Sequence, residues 1–285
     1  MKHDLIGCLI ITYNPPLEIL NKTINKLLEY KDIITTFIID SSDNSSHLKE
    51  YIEDLNIPNL IKFEHIDNNG LQQSLNYGIN KIKNKLNPEF VVIFEDDNLL
   101  ITDLSEIIKL YYEMQLADKD LIVLNDRTFN FEKHTIINSK KLIGSGTYFA
   151  KSELFYNISF RNEFFMDQGD FDFQIKVRKQ GGNMFITSWE VIKRLAIGRE
   201  KNFIILPVWR DYLTVRNATV LFFVERNGII FYIEQLGFLG LGFLINMKRY
   251  GVFKFLKIIF EAFVDGKNRN FDNNKVWELR KLYKK

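Results

Sequence analysis

With 285 residues, 46% of them apolar and 26% charged, the chain is long enough to bury a full core and too hydrophobic to be disordered. Its one cysteine, Cys8, excludes an intramolecular disulfide and reads as a small core residue of a reducing compartment. The net charge of +2 conceals a split. From Leu244 onward 11 Lys/Arg stand against 4 Asp/Glu, and before it 27 against 32, so a mildly acidic body carries a basic tail.

In chain order, Leu5 to Thr12 is a β-branched apolar run without helical period, the pattern of a central parallel strand, stopped by Tyr13-Asn14-Pro15-Pro16. Leu17 to Tyr30 places Leu17, Leu20, Ile24, Leu27 and Leu28 at helical spacing, and Thr36 to Ile39 is a short strand ending at Asp40. A strand over Leu60 to Ile66, a helix over Leu71 to Lys85 and a buried strand over Phe90 to Phe94 continue the alternation. This predicts an α/β fold with a doubly wound, mostly parallel sheet. Right-handed crossovers then line up the loops at 13–16, 40–46 and 95–98 along one carboxyl edge, where such sheets bind ligands.

Further on, Ile101 to Met114 reads as helix, Leu121 to Leu124 as strand, and residues 144–150 as a glycine-bearing loop entering a strand. Gln174 to Lys179 reads as helix, stopped by Gly181-Gly182, with a strand near Met184 to Thr187. Beyond that the sheet pattern is lost, which divides the chain into an α/β domain, 1–211, and a helical, basic and aromatic extension, 212–285. Within the extension, Ile229 to Met247 is a 19-residue stretch whose only charge is Glu234. Gln235 and the glycines 237, 240 and 242 make it a buried or membrane-lying segment rather than a span. The N-terminal MKHDLIG lacks the features of a signal peptide, so the expected location is cytoplasmic.

Two acidic clusters carry the candidate chemistry. Glu95-Asp96-Asp97 follows a buried strand, where three acids repel one another and need a cation. On an extended segment Glu95 and Asp97 face one way and Asp96 the other, and their hard oxygens suit Mg²⁺ or Mn²⁺ shared with substrate phosphates. The plainer reading is an acidic turn. The second cluster, Asp167-Gln168-Gly169-Asp170-Phe171-Asp172, lies among Phe164, Phe165, Phe171 and Phe173. Desolvation beside apolar rings raises a carboxylate's proton affinity and suits it to accept a proton from a substrate hydroxyl, although helix N-capping is the competing role. The histidines, His3, His47, His65 and His134, have no metal-ligand spacing and read as structural or exposed.

Taken in order from about Leu9 to Asn217, these motifs resemble the family 2 glycosyltransferases of the GT-A fold, in particular the rhamnosyltransferase-like branch of surface polysaccharide synthesis. Ile10 to Asn14 is similar to the family's opening strand and loop, and Ile38 to Asp43 to its second strand with a nucleotide-contacting aspartate. Asn68-x-Gly70 with Asn76-x-Gly78 resembles the NxG...NxG motif, Glu95 to Asp97 the DxD, Ser145-Gly146-Thr147 the loop before the acceptor region, and Phe165 to Asp172 the FxDxxDxE segment. Arg216-Asn217 resembles an RN pair and Asp265-Gly266 a terminal DG element.

The resemblance implies an inverting sugar transfer from a nucleotide-diphosphate sugar. Thr12, Asn14, Asp40, Asn68, Gly70, Asn76 and Asp96 would hold the donor, Asp97 with Glu95 the Mg²⁺ or Mn²⁺, and Asp170 would be the general base. Ser145, Gly146, Asp167 and Asp172 would lie on the acceptor side or orient it. The first acid of the motif is Glu95 rather than Asp, and Val191 to Gly198 has no His where many relatives place a metal ligand. Lys193 or Arg194 stands there instead to offset diphosphate charge.

The implied donor is of rhamnosyl, galactosyl or galactofuranosyl type. The implied acceptor is a glycan or lipid-linked oligosaccharide of O-antigen or capsule synthesis; separately, the charge split and the apolar stretch predict peripheral contact of the tail with the cytoplasmic leaflet. The alternative is a noncatalytic relative that binds a nucleotide sugar or a partner enzyme. A dinucleotide-dependent dehydrogenase is disfavoured because no GxGxxG follows the first strand, and nucleic acid because no binding module accompanies the basic tail.

Overall fold

All seven residues of the strand Ile6–Thr12, β1, are buried, as are all seven of Ile34–Asp40, β2. That burial on both faces is what a continuous β-branched run with no polar alternation dictates for a central parallel strand. This computed structural model describes residues 5–127, 134–194, 207–226 and 242–283. The chain divides into two compact units, one of Met1–Phe160 with Phe173–Ala196, the other of Arg161–Asp172 with Ile197–Lys285.

In the first unit, β1 pairs in parallel with β2 and with β4 (Phe90–Glu95), and β2 with β3 (Ile61–His65). Among the described residues the sheet has eight strands in the order β3-β2-β1-β4-β8-β6-β9-β7, with β6 at Leu121–Val123, β7 at Ile136–Asn138, β8 at Tyr148–Lys151 and β9 at Met184–Thr187. The sheet is mostly parallel; β8 and β7 run antiparallel to their neighbours. A separate two-stranded ribbon joins β5 (Asn98–Leu100) to β10 (Ile192–Arg194).

Alternation along β1 decides which helices cover which face. Ile6, Cys8 and Ile10 pack with Leu20 and Ile24 of α1 (Leu17–Leu28), Leu48 of α2 (Ser46–Asp54) and Ile107 of α4 (Leu104–Glu113). Leu9 and Ile11 pack with Leu75 and Ile79 of α3 (Leu71–Lys85), Phe155 of α5 (Ser152–Asn157) and Val177 near the end of α6 (Gly169–Lys179). Cys8 is buried, and burial pushes its thiol up to about 12, which makes it inert filling.

Most expected elements are present, with three differences. The helix expected from Ile101 begins at Leu104, because Asp103 caps it by accepting the amide of Ser105 at 2.8 Å, and residues 98–100 are spent on β5 instead. The extended segment assumed for the first acidic cluster ends at Glu95, and the chain turns at Asp96-Asp97, so alternation does not govern those two side chains. Sheet structure does continue past Thr187, in β10, whose three residues find their partner in a strand almost a hundred residues away.

The second unit contains α7 (Val208–Ala218), which continues as a π-helical turn over Thr219–Val224, the helical residues 242–250 (α8), α9 (Val252–Lys267) and α10 (Asn274–Leu282). The division expected after residue 211 falls inside α7. Phe165, Tyr212, Leu213, Phe255, Ile258, Ala262, Val276 and Leu279 form the core of this unit. A Cβ on Gly266 would stand 2.4 Å from the Arg216 carbonyl oxygen, so α9 approaches α7 this closely only because residue 266 has no side chain. Asp265 beside it accepts the Tyr212 hydroxyl at 2.7 Å, which gives the Asp265-Gly266 pair a structural role. Among the described residues no helix is long and apolar enough to cross a membrane. Of the apolar stretch from Ile229 to Met247, residues 229–241 lie outside the described residues.

Asp211 on α7 is buried, bonded to the Asn246 amide, and burial pushes its carboxyl up to about 7, with the charge of Asp167 adding to the effect. Between the unfolded value, about 3.9, and about 7 the folded chain therefore binds more protons than the unfolded one. Its contribution to stability is complete below that window, is lost as pH rises through it and stays lost above it. Asp211→Asn is expected to raise stability at pH 8 by about 2 to 4 kcal/mol and to leave it nearly unchanged near pH 4, read by urea denaturation at both pH values.

Candidate functional site

Parallel register brings the ends of β1, β2 and β4 side by side, with Thr12 opposite Asp40 and Ile11 opposite Glu95. The loops that leave these strands are then tied by one carboxylate. Asp40 is wholly buried; its Oδ1 accepts the Thr12 hydroxyl at 2.8 Å and the Ser42 hydroxyl at 2.5 Å, and its Oδ2 lies 3.2 Å from His65 Nδ1. Ser42 Oγ in turn accepts the amide of Asn14 at 2.7 Å, and Asn14 adopts the left-handed conformation at φ 49°. Thr12, Asn14 and Asp40 thus belong to one network.

Asp96 joins it from the third strand, accepting the Tyr13 amide at 3.2 Å. Burial pushes the Asp96 carboxyl up to about 7, and the charges of Asp97 and Glu95 push the same way. Glu95 faces another partner, with its Oε2 3.0 Å from Arg194 Nη2. The β5–β10 ribbon makes this pair: Arg194 stands opposite Asn98 in its register, three residues after Glu95. Lys193 falls on the other side of the pleat and is exposed, so the two basic residues named from the sequence separate. A Cβ on Gly146 would lie 2.6 Å from Glu95 Oε1, which puts the Ser145-Gly146 loop against the acidic cluster. Ser145 Oγ accepts the Thr147 amide, and the wholly buried Thr147 bonds Asn98 at 2.6 Å.

Of the paired asparagines, Asn68 Oδ1 accepts the amide of Gly70, which has φ 101° and precedes α3. Asn76, farther along the helix, both donates to the carbonyl of Phe160 and accepts its amide, each at 2.9 Å. That bracket holds the end of the first segment of the unit.

In the second unit Asp167 lies in a clamped loop that leads into α6, and Asp170 and Asp172 lie in the first turn of that helix. Asp167 and Gln168 are both left-handed, at φ 59° and 61°. Asp167 makes a two-pronged ion pair with Arg210 of α7, and Asn217 donates to the carbonyls of Met166 and Asp167 at 2.8 and 3.0 Å. Asp172, buried, pairs with Arg161 at 2.7 Å, and Arg161 also forks onto Glu225. Asp170 lies in the first turn of α6, partly buried, where a negative charge is favoured by the helix dipole.

The fold so placed is of the GT-A type, the fold of a class of glycosyltransferases. Its likeness extends to the mannosyltransferase PcManGT from Pyrobaculum calidifontis in complex with GDP-Man and Mn²⁺, with TM-score 0.59 and 12% identity over 92% of this chain and 86% of that one. It extends also to GalNAc-T7 with UDP, GalNAc and Mn²⁺ (0.60, 13%, 76% and 47%) and to S. aureus TarS 1-349 in complex with UDP (0.54, 13%, 95% and 91%). The chain spans 39% of a longer TarS structure and under half of GalNAc-T7. No protein-family model and no curated protein sequence matches this chain.

Three participants were not singled out from the sequence. In the sequence Ser42 and Tyr13 stand out only as members of longer motifs, and His65 reads as structural or exposed. The signal that identifies His65 is its place as the last residue of β3, opposite Asp40 in the register, which needs the strand pairing to be known. Among the described residues no group of three or more His, Cys, Asp or Glu is arranged to hold a metal ion.

Asp40→Asn puts an amide among donors that now converge on a carboxylate. It is expected to cost about 1 to 3 kcal/mol of stability, measured by urea denaturation, and Ser42→Ala less, about 0.5 to 1.5 kcal/mol. Equal stability of wild type and Asp40→Asn would remove the bracing role.

Proposed function

We propose that this chain is an inverting glycosyltransferase that moves a sugar from a nucleotide-diphosphate donor to a glycan or lipid-linked oligosaccharide in bacterial surface polysaccharide synthesis. The observation that carries this reading is the convergence of Thr12, Asn14, Asp40 and Asp96 at the carboxyl ends of β1, β2 and β4. That is the edge at which sheets of this kind bind nucleotides, in a fold whose solved relatives hold UDP or GDP-Man.

In this reading the loops at 13–16 and 41–45 receive the nucleotide, and Asp40 sets their positions from beneath. Asn68 and Gly70 shape the turn before α3, Asn76 holds the wall behind it, and Ser145 and Gly146 border the sugar. Arg194, drawn to Glu95 by their ion pair, is the side chain that meets diphosphate charge, with Lys193 as a weaker outer cation.

In this reading Asp97, supported by Glu95, would hold Mg²⁺ or Mn²⁺ at the acidic turn, and Arg194 would offset diphosphate charge. Such ions need only one or two carboxylates when phosphate oxygens and water complete the shell. When bound, the ion would offset charge on the departing diphosphate as a Lewis acid.

Asp170 accepts the proton of the attacking hydroxyl while the hydroxyl oxygen bonds to the anomeric carbon and the bond to diphosphate breaks on the opposite face. Asp167 and Asp172, held by Arg210 and Arg161, keep Asp170 in place. A positioned base contributes roughly 10²- to 10⁴-fold to the rate.

A panel of nucleotide sugars of rhamnosyl, galactosyl and galactofuranosyl type, scored by thermal shift with and without Mn²⁺, identifies the donor through mass action on the folded state. With that donor, Asp170→Asn is expected to lower transfer by at least about 10²-fold while the thermal shift is kept, and Asp97→Ala to abolish the Mn²⁺ increment. Binding without transfer to any acceptor in the wild type would instead favour a noncatalytic nucleotide-sugar binder.

A further inference from the structure

α9 carries two apolar stripes, and only one of them has a partner. Phe255, Ile258 and Ala262, spaced three and four apart, pack into the core of the second unit. Phe253, Leu256 and Phe260 repeat the same spacing on the other side, and there Phe253 is 90% and Phe260 67% exposed. At the head of the helix Gly251, at φ +89°, turns the chain between α8 and α9, and a Cβ there would touch nothing within 4 Å. Residues 251–254 are all exposed, so Val252 and Phe253 form the tip of an elbow, and Leu244 of α8 is 60% exposed.

The rim of this elbow is basic. Lys248, Arg249, Lys254 and Lys257 are all exposed, and the sequence from 242 to 260 contains no Asp or Glu; the acid that borders it, Glu261, lies 3.9 Å from Lys257. Side chains of this kind can lay their stems along apolar surface while their charges stay in a polar phase.

We infer that the α8–α9 elbow is an anionic-lipid docking element, in which Val252, Phe253, Leu256 and Phe260 enter the bilayer interface and Lys248, Arg249, Lys254 and Lys257 meet its phosphates. An apolar strip rimmed by cations matches an interface that is apolar below and negative above. A second copy of this chain fits less well, because a self-complementary contact would bring two cationic rims together. Nucleic acid offers nothing to Leu244, Val252 and Leu256. The inference deepens the membrane side of the proposed function by assigning it to one elbow, and it does not depend on catalysis.

The test is co-sedimentation of the full chain with vesicles of phosphatidylcholine alone and of equimolar phosphatidylcholine and phosphatidylglycerol, at low and high salt. Binding is expected on the anionic vesicles, weakened by salt. A Phe253→Ser/Phe260→Ser variant and a Lys248→Glu/Lys254→Glu variant should each lose roughly tenfold or more in vesicle affinity while keeping the wild-type circular dichroism spectrum and donor thermal shift.

Loss of transfer activity with vesicle binding intact would fail the transferase reading and leave this one standing. No binding to anionic vesicles, equal binding to neutral ones, or undiminished binding by both variants would overturn it. So would a concentration-dependent dimer, seen by light scattering, that the Phe253→Ser/Phe260→Ser variant abolishes while vesicle binding stays absent.

Discussion

A single buried carboxylate, that of Asp40, holds the ends of β1, β2 and β3 in register. It sits where β2 ends, and it collects Thr12 from β1, Ser42 from its own loop and His65 from β3. A carboxylate without those donors would be costly to bury, and the donors without the carboxylate would be left with unmade bonds. Each strand end therefore depends on the others, and Asn14 inherits its position through Ser42. This makes the edge of the sheet a preformed surface rather than a set of independent loops.

Next to that network the chain concentrates negative charge. Glu95 has Arg194, Asp96 has the Tyr13 amide, and burial, with the charges of Asp97 and Glu95, pushes the Asp96 carboxyl up to about 7. A site in that condition gains most from a ligand that brings positive charge or takes Arg194 for itself. A metal-bound diphosphate does both, which is the physical sense of the proposed donor chemistry.

The second unit uses the same device with different residues. Two successive left-handed residues, Asp167 and Gln168, each cost about 1 to 3 kcal/mol, and such geometry persists only where the surroundings over-determine it. Arg210 and Asn217 do so from α7, one on the Asp167 side chain and the other on the backbone. Arg216 orients Asn217 through Nε and is itself buried against the rings of Tyr212 and Phe271. The Arg216-Asn217 pair is thus a brace for the acidic loop, anchored further by the close approach of α9 at Gly266.

The elements that were legible in advance are those whose pattern is local. The run Leu5 to Thr12 reads as a central strand and the spacing over Leu71 to Lys85 as a helix, and both elements are present, the helix with those same bounds. Order and alternation then predicted which loops share the sheet edge, the acids at 95–97 and 167–172 stood out as clusters, and the resemblance implied their separate roles. What remained hidden was set by pairing across long separations. β10 is three residues long and means nothing until β5 lies beside it, yet it separates Arg194 from Lys193 and brings Arg194 to Glu95. His65 and Asn76 likewise acquire partners, Asp40 and Phe160, only when distant segments meet. By itself the sequence determined the strands, helices and acidic clusters, because periodicity and burial are properties of neighbours in the chain. Tertiary structure alone decided which charges meet, because an ion pair or a buried hydrogen bond is a property of neighbours in space.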